Sequence, residues 1–311
     1  MPETLQPFEV SREALAEKLK LKDQWTEQVK ALNETGVLEI LPESQDIGIV
    51  DLRGRECPIP KYEEILAEIT AENLELLQEK AEQGFNRLLL VPLGLPLNIL
   101  TERYQRELLK HHREGTLLDT SGNKLDLDPD DPFYVWHEGY DNADINGNLV
   151  YFPQQFTQEN HGGQTKDQLL KRGDAWQILL LEDLPDLPAK GGGTEKSGRK
   201  QLEASQSSEQ YLKKMQEEPP YQGEQGLTPE AWLTYAISQL HQKNIQIDDY
   251  DESRGGKGKA SFLIGSWFPT SEDVPRGVFS RGNRQACLYG NYPHNSYSNS
   301  SCRSSVKIQK P

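Results

Sequence analysis

Cysteine is scarce in this chain: 311 residues contain only Cys57, Cys287 and Cys302. An odd, sparse set excludes a disulfide framework as the main source of stability and fits a reducing compartment. Long apolar runs are missing as well. The longest, residues 88–97, is broken by Pro92, Gly94 and Pro96, and a membrane-spanning helix needs roughly 18–20 apolar residues. The residues after Met1 lack the basic and apolar stretches of a secretory leader, so a cytoplasmic location is expected, with no membrane partner.

Basic residues are the minority, 34 Lys and Arg against 49 Asp and Glu, for a formal charge of −15. That disfavours general nucleic-acid binding, which depends on basic surface displacing counterions. The shortage is uneven. From Arg254 onward the acids are only Glu272 and Asp273, while the bases include Arg276, Arg281, Arg284, Arg303 and Lys307. The C-terminal part is therefore locally basic on an acidic chain.

Catalytic and metal signatures are also lacking. Gly94 sits in a strand-to-helix turn without a phosphate-loop pattern. His111 and His112 are adjacent on a helix and do not share a face; His137, His161, His241 and His294 have no partners at ligand spacing. Residues 142–147 imitate the start of an EF-hand loop, but Pro153 stands where the bidentate Glu is required, so a solvated turn is expected. The acidic run 126–131 reads as a solvated loop. No catalytic residue, metal or cofactor is assigned.

What is present is a mixed pattern of helices and strands. Helical spacing covers 11–35, 60–70, 71–84 and 96–113; strands are expected at 37–41, 47–52 and 88–91. This first third reads as an α/β region. Further strands are expected at 148–153 and 176–184, followed by a Gly- and Pro-rich surface loop or linker at 185–199. A short helix is expected at 208–217. The clearest helix begins at Thr228, a capping residue, followed by Pro229 at the first helical position and Glu230 near the positive helix end. Trp232, Leu233, Ala236, Ile237 and Leu240 form its apolar face, and Asn244 marks its end. A glycine-rich loop at 254–258 leads to residues 261–267, and strands near 278–288 and 304–308 close the chain.

Residues 289–302, YGNYPHNSYSNSSC, stand apart. They contain no Lys, Glu, Gln, Met or Trp, although Lys, Glu and Gln are abundant elsewhere. Tyr offers large, rigid contact area at low entropy cost, and Ser, Gly and Asn offer adaptable hydrogen bonds; antibody paratopes use this palette for the same reason. A strand-like stretch, 304–308, follows at once, so the segment is held at both ends as a binding loop would be.

Several motifs carry a family resemblance: Gly265-Ser266-Trp267, the hairpin Arg281-Gly282-Asn283-Arg284-Gln285-Ala286, and Cys302-Arg303-Ser304-Ser305-Val306-Lys307-Ile308. Together they resemble the C-terminal end of variable proteins of diversity-generating retroelements. The helix start Leu227-Thr228-Pro229-Glu230-Ala231-Trp232 and the run Ile247-Asp248-Asp249-Tyr250 are similar to what precedes that end. The resemblance implies a C-type lectin fold in the branch shared with formylglycine-generating enzymes, with the last strands diversified at template adenines. On that resemblance, mutated AAC or AAT codons give Asn, Tyr, Ser, His, Asp, Gly, Cys, Pro and others, Phe among them, but never Lys, Glu, Gln, Met or Trp. It argues against the oxidase activity of that branch, since a close cysteine pair binds copper(I) there and this chain has only Cys302 near its terminus.

The expectation is an α+β chain: an N-terminal α/β region at 1–115, an acidic linker at 116–130, and a C-type-lectin-type ligand-binding module at 131–311. Its hypervariable segment spans 278–302. The expected binding surface comprises Phe279, Ser280, Asn283, Tyr289, Asn291, Tyr292, His294, Asn295, Ser296, Tyr297, Ser298, Asn299 and Ser300. The expected partner is an unidentified ligand, a protein or other macromolecule, and the chain is read as a non-enzyme. Rival readings are a formylglycine-generating-type oxidase and nucleic-acid binding through the basic C-terminal face.

Overall fold

The strongest helix signal in the sequence marks the centre of the molecule. In the computed structural model, which describes residues 11–251 and 259–308, that helix spans Pro229–Lys243. The Thr228 hydroxyl accepts from the Ala231 N–H at 3.2 Å, and Asn244 ends the helix in the left-handed region, φ 59°. The expected single apolar face is too modest a description, because every residue from 229 to 240 is buried. Several of its polar side chains find partners within the protein, as burial requires. Thr234 donates to the Glu230 carbonyl at 2.6 Å and Ser238 to the Thr234 carbonyl at 2.8 Å. Gln239 donates to Asp183 at 2.6 Å.

Around this helix the chain is a mixed α and β structure with several sheets. A four-stranded antiparallel sheet runs Glu224–Gly226, Ser304–Lys307, Gln177–Glu182, Phe85–Val91. A larger sheet runs Ser300–Cys302, Ala260–Phe262, Val274–Ser280, Gln285–Asn291, Phe133–Val135, with Asp249–Tyr250 also pairing to Val274–Ser280. The chain leaves the larger sheet at Cys302 and enters the four-stranded one at Ser304, so Arg303 stands at the crossing. There its guanidinium meets Asp248, with Nη2 2.5 Å from Oδ1 and Nε 3.2 Å from Oδ2. It also donates to the carbonyls of Leu184 and Pro185.

Helices and strands form in each stretch expected in the first third, among them Tyr62–Glu68, Leu74–Glu82 and Leu97–Glu114, but the stretch 11–35 forms two helices, Arg12–Lys18 and Leu21–Glu34, broken at Lys20 in the left-handed region, φ 53°. The division into region, linker and module has a different outcome. Strand Phe85–Val91 pairs with Gln177–Glu182, which pairs with Ser304–Lys307. Residues from Leu15 to Ile308 belong to one apolar cluster, so the two expected parts share a sheet and a core. The acidic stretch 116–130 is packed and is no free linker. Leu117, Leu125 and Leu127 are buried, and Asp119 accepts from Arg281 at 2.7 Å.

Two loop readings are corrected in the same way. Residues 185–199 end in a small antiparallel pair, Glu195–Lys196 with Arg199–Lys200. The Arg199 side chain is fully buried, 2.6 Å from Glu224, which Lys80 also meets at 2.8 Å. In the EF-hand-like turn Asp144 is buried and not solvated. Lys166 reaches it at 2.7 Å and Glu230 at 2.8 Å. The glycine-rich loop 254–258 lies outside the described residues.

Candidate ligand-binding face

The hairpin formed by Val274–Ser280 and Gln285–Asn291 is in register over seven pairs, from Val274 opposite Asn291 to Ser280 opposite Gln285. Successive strand side chains point to opposite faces, so two surfaces alternate along it. One parity faces the central helix. Phe279, Ala286 and Leu288 belong to the core, and a Cβ on Gly277 would lie 2.5 Å from Cε2 of Trp232. Glycine at 277 is thus what lets the sheet close on the indole. The other parity carries Arg276, Val278 and Ser280 opposite Tyr289, Cys287 and Gln285.

The outward parity forms a face of its own. Val278 and Cys287 form a small apolar floor with Ala260, against which Tyr250 and Tyr289 pack. Tyr134, opposite Cys287 on the next strand, places its ring 5.3 Å from that of Tyr289. On the far side the Tyr297 ring lies 5.8 Å from the Arg276 guanidinium and 6.3 Å from the buried Phe262 ring. Asn291 and Asn299 offer their side-chain oxygens to Arg276 at 3.4 and 3.5 Å, the outer limit of a hydrogen bond.

Electrostatics set the character of this face. Burial pushes the Cys287 thiol up to about 11, so it is neutral at physiological pH and acts as floor. Burial, together with the Cys287 contact, also raises the Tyr289 phenol, which stays a neutral donor. Burial lowers Arg276 from the usual arginine range. Among the described residues, three other cations of the basic C-terminal stretch face carboxylates. Arg281 meets Asp119 and Asp249, Arg284 meets Asp126 at 3.4 Å and Asp128 at 3.2 Å, and Lys307 meets Asp174 at 3.7 Å.

The structure gathers part of the expected site. Ser280, Tyr289, Asn291, Tyr297 and Asn299 border Arg276 or its neighbours on the outward side. Tyr292 and His294 are exposed and stacked with ring centroids 5.9 Å apart. Asn295 donates to the Tyr297 hydroxyl at 3.3 Å. Ser296 and Ser298 are exposed, with Ser296 bridging to Ser207. Asn283 is exposed at the hairpin turn, its N–H on the Ser280 hydroxyl at 3.3 Å.

Two expected members do not belong. Phe279 is fully buried while Ser280 is half-exposed, because its parity turns it toward the central helix. Ser300 is also fully buried, paired with Ala260 inside the larger sheet. Conversely, Arg276, Tyr134, Tyr250, Val278 and Cys287 were missed. Arg276, Val278 and Ser280 do alternate with Pro275, Gly277 and Phe279, so extending the strand back to Val274 reveals the first of them. Tyr134 and Tyr250 arrive through long-range pairing that local pattern does not contain.

Comparison with known proteins returned no match: no family model, no curated protein and no solved structure aligns with the chain. Among the described residues, no helix is long and apolar enough to cross a membrane, and no group of three or more His, Cys, Asp or Glu could hold a metal ion.

Proposed function

We propose that the chain is a ligand-binding protein that presents a variable surface on a C-type-lectin-type scaffold, as the retroelement resemblance implies. The ligand is a protein or other macromolecule, and the surface is the outward face of the hairpin with the segment 289–299. One observation carries the reading. Ser280, Tyr289 and Asn291 lie on the hairpin parity opposite to Gly277, Phe279, Ala286 and Leu288, which pack inward, and Tyr297 and Asn299 reach the same outward side at Arg276. The composition suited to contact therefore coincides with the parity free to change.

The rival readings receive less support. An oxidase of the formylglycine-generating type requires two cysteines at one metal. Cys287 and Cys302 lie on strands separated by Ala260–Phe262 and Val274–Ser280, about 14 Å at ordinary strand spacing, and they belong to different apolar clusters. Nucleic-acid binding requires unpaired basic surface, whereas Arg281, Arg284 and Lys307 each face a carboxylate.

The test is selection of a displayed random-peptide library on the full chain. Recovered peptides should lose at least roughly tenfold in affinity on Tyr289→Ala or Tyr297→Ala, as for aromatic contact residues, and nothing on Glu27→Ala, on a distant helix. Peptides indifferent to both tyrosine changes would refute the reading.

A further inference from the structure

Arg276 is the one feature of the outward face that its surroundings do not explain. It projects among Tyr297, Tyr289, Tyr250 and Cys287. Among the described residues no carboxylate lies within ion-pair distance of it. Its two terminal nitrogens have only the long contacts to Asn291 and Asn299, at 3.4 and 3.5 Å. Its Nε is buried without any hydrogen-bond partner. A partly desolvated guanidinium left this way is costly, because buried charges are ordinarily paired and buried donors satisfied. Arg303 and Arg199 show what this fold does with a buried guanidinium that serves structure: each is met by a carboxylate at 2.6 Å or less.

We infer that Arg276 is the anion-recognising centre of the outward face and that it takes an acidic side chain, Asp or Glu, of a protein ligand. The inference rests on the reading of that face as a binding surface and names the chemistry of what binds there. A guanidinium presents a planar fork of donors that matches a carboxylate in two parallel hydrogen bonds. Here the Tyr297 ring borders the guanidinium and the two asparagine amides flank it. The low-dielectric floor of Val278, Cys287 and Ala260 strengthens the pairing and excludes water. The tyrosines around it provide contact area for the residues on either side of the acid. A polyanion such as a nucleic acid is a poorer occupant, since the chain carries −15 overall and the neighbouring arginines are already neutralised.

Two measurements on the full chain separate this inference from the reading beneath it. The first follows the Arg276 Nε–H NMR resonance during titration with N-acetyl-glutamate amide, with N-acetyl-glutamine amide and inorganic phosphate as controls. The acid should give a saturable shift, absent in Arg276→Gln; no shift, a shift shared with the neutral amide, or tighter binding of phosphate overturns the inference. The second uses the peptides selected above. Those sensitive to Tyr289→Ala should lose roughly thirtyfold or more on Arg276→Gln, as for truncation of a buried charge pair, and an equal amount when their acid becomes an amide. Unchanged melting of Arg276→Gln keeps the loss assigned to binding. Tyrosine-dependent peptides that ignore Arg276 would overturn the inference while the binding face stands. A saturable acid shift without tyrosine-dependent peptides would sink the binding-face reading and leave the carboxylate site.

Discussion

Replacing Arg303 by Met should lower folding stability by about 3–5 kcal/mol at pH 7, the range for removing one partner of a buried ion pair. The magnitude follows from what is left behind. Asp248 is fully buried, and without the guanidinium its carboxylate keeps only the Trp232 indole N–H, at 2.8 Å. The carbonyls of Leu184 and Pro185 lose their donors too. Burial already raises the Asp248 pKa, with Arg303 the opposing influence, so the substitution raises it further. A carboxyl whose folded pKa exceeds its unfolded value of about 4 favours folding only while protonated. The deficit of the variant should therefore be smallest near pH 4 and grow as pH rises toward the folded pKa. Adding Asp248→Asn should recover most of the loss, since an amide needs no counter-charge. Urea unfolding followed by tryptophan fluorescence at pH 4.5 and 7 measures all of this. A single variant within 1 kcal/mol of the parent, or a double variant no better than the single, would refute the argument.

Other outcomes follow from the same geometry. Burial, with the nearby Asp248 charge, pushes Asp186 up to about 6; this contribution favours folding at low pH and is lost as pH rises through 6. Asp186→Asn should thus stabilise by about 1–2 kcal/mol above pH 7, a figure discounted for partial exposure, and change little at pH 4. Phe279→Ala should cost about 3–5 kcal/mol in chemical denaturation, as for a buried aromatic, whereas Tyr292→Ser with His294→Ser should stay within about 0.5 kcal/mol, as for exposed positions. Trp267, fully buried, should behave like Phe279 on truncation to Ala, and a near-neutral result would contradict its packing. Gly277→Ala should cost about 1–3 kcal/mol through overpacking against Trp232, visible as a lower melting temperature.

Legibility in the sequence followed the range of the interactions involved. The helix Pro229–Lys243 could be read because its cap, its first-turn proline and its terminal asparagine are local signals. Its central position could not, since Ser238 and Gln239 look solvent-facing until Gln28 and Asp183 are brought to them. The acidic stretch 116–130 read as a linker for the same reason, because Arg281 and Arg284, which neutralise it, lie more than 150 residues away in sequence. Composition singled out segment 289–302, but it carries no parity. Phe279 and Ser300 fit the palette and still point inward, while Arg276 falls outside the expected range and points outward.

Parity also explains how one hairpin can hold a packed core face and, on the proposed reading, a changeable outward face. A slip of one residue would exchange the two faces completely, sending Phe279 and Leu288 to solvent and Arg276 and Tyr289 against Trp232. The register must therefore be set by residues that do not belong to the outward face. Gly277 does this from one strand, since any side chain there meets the indole. The turn does it from the end: Arg284 sits in the left-handed region at φ 57°, and its side chain is tied to Asp126 and Asp128. Arg281, at the other side of the turn, is held by Asp119 and Asp249. With both ends of the turn bound to acids of the 119–128 stretch and Asp249, outward residues such as Tyr289, Asn291 and Ser280 can change without moving the strand that carries them. The acidic stretch that resembled a linker is thus part of what holds the outward face of the hairpin in register.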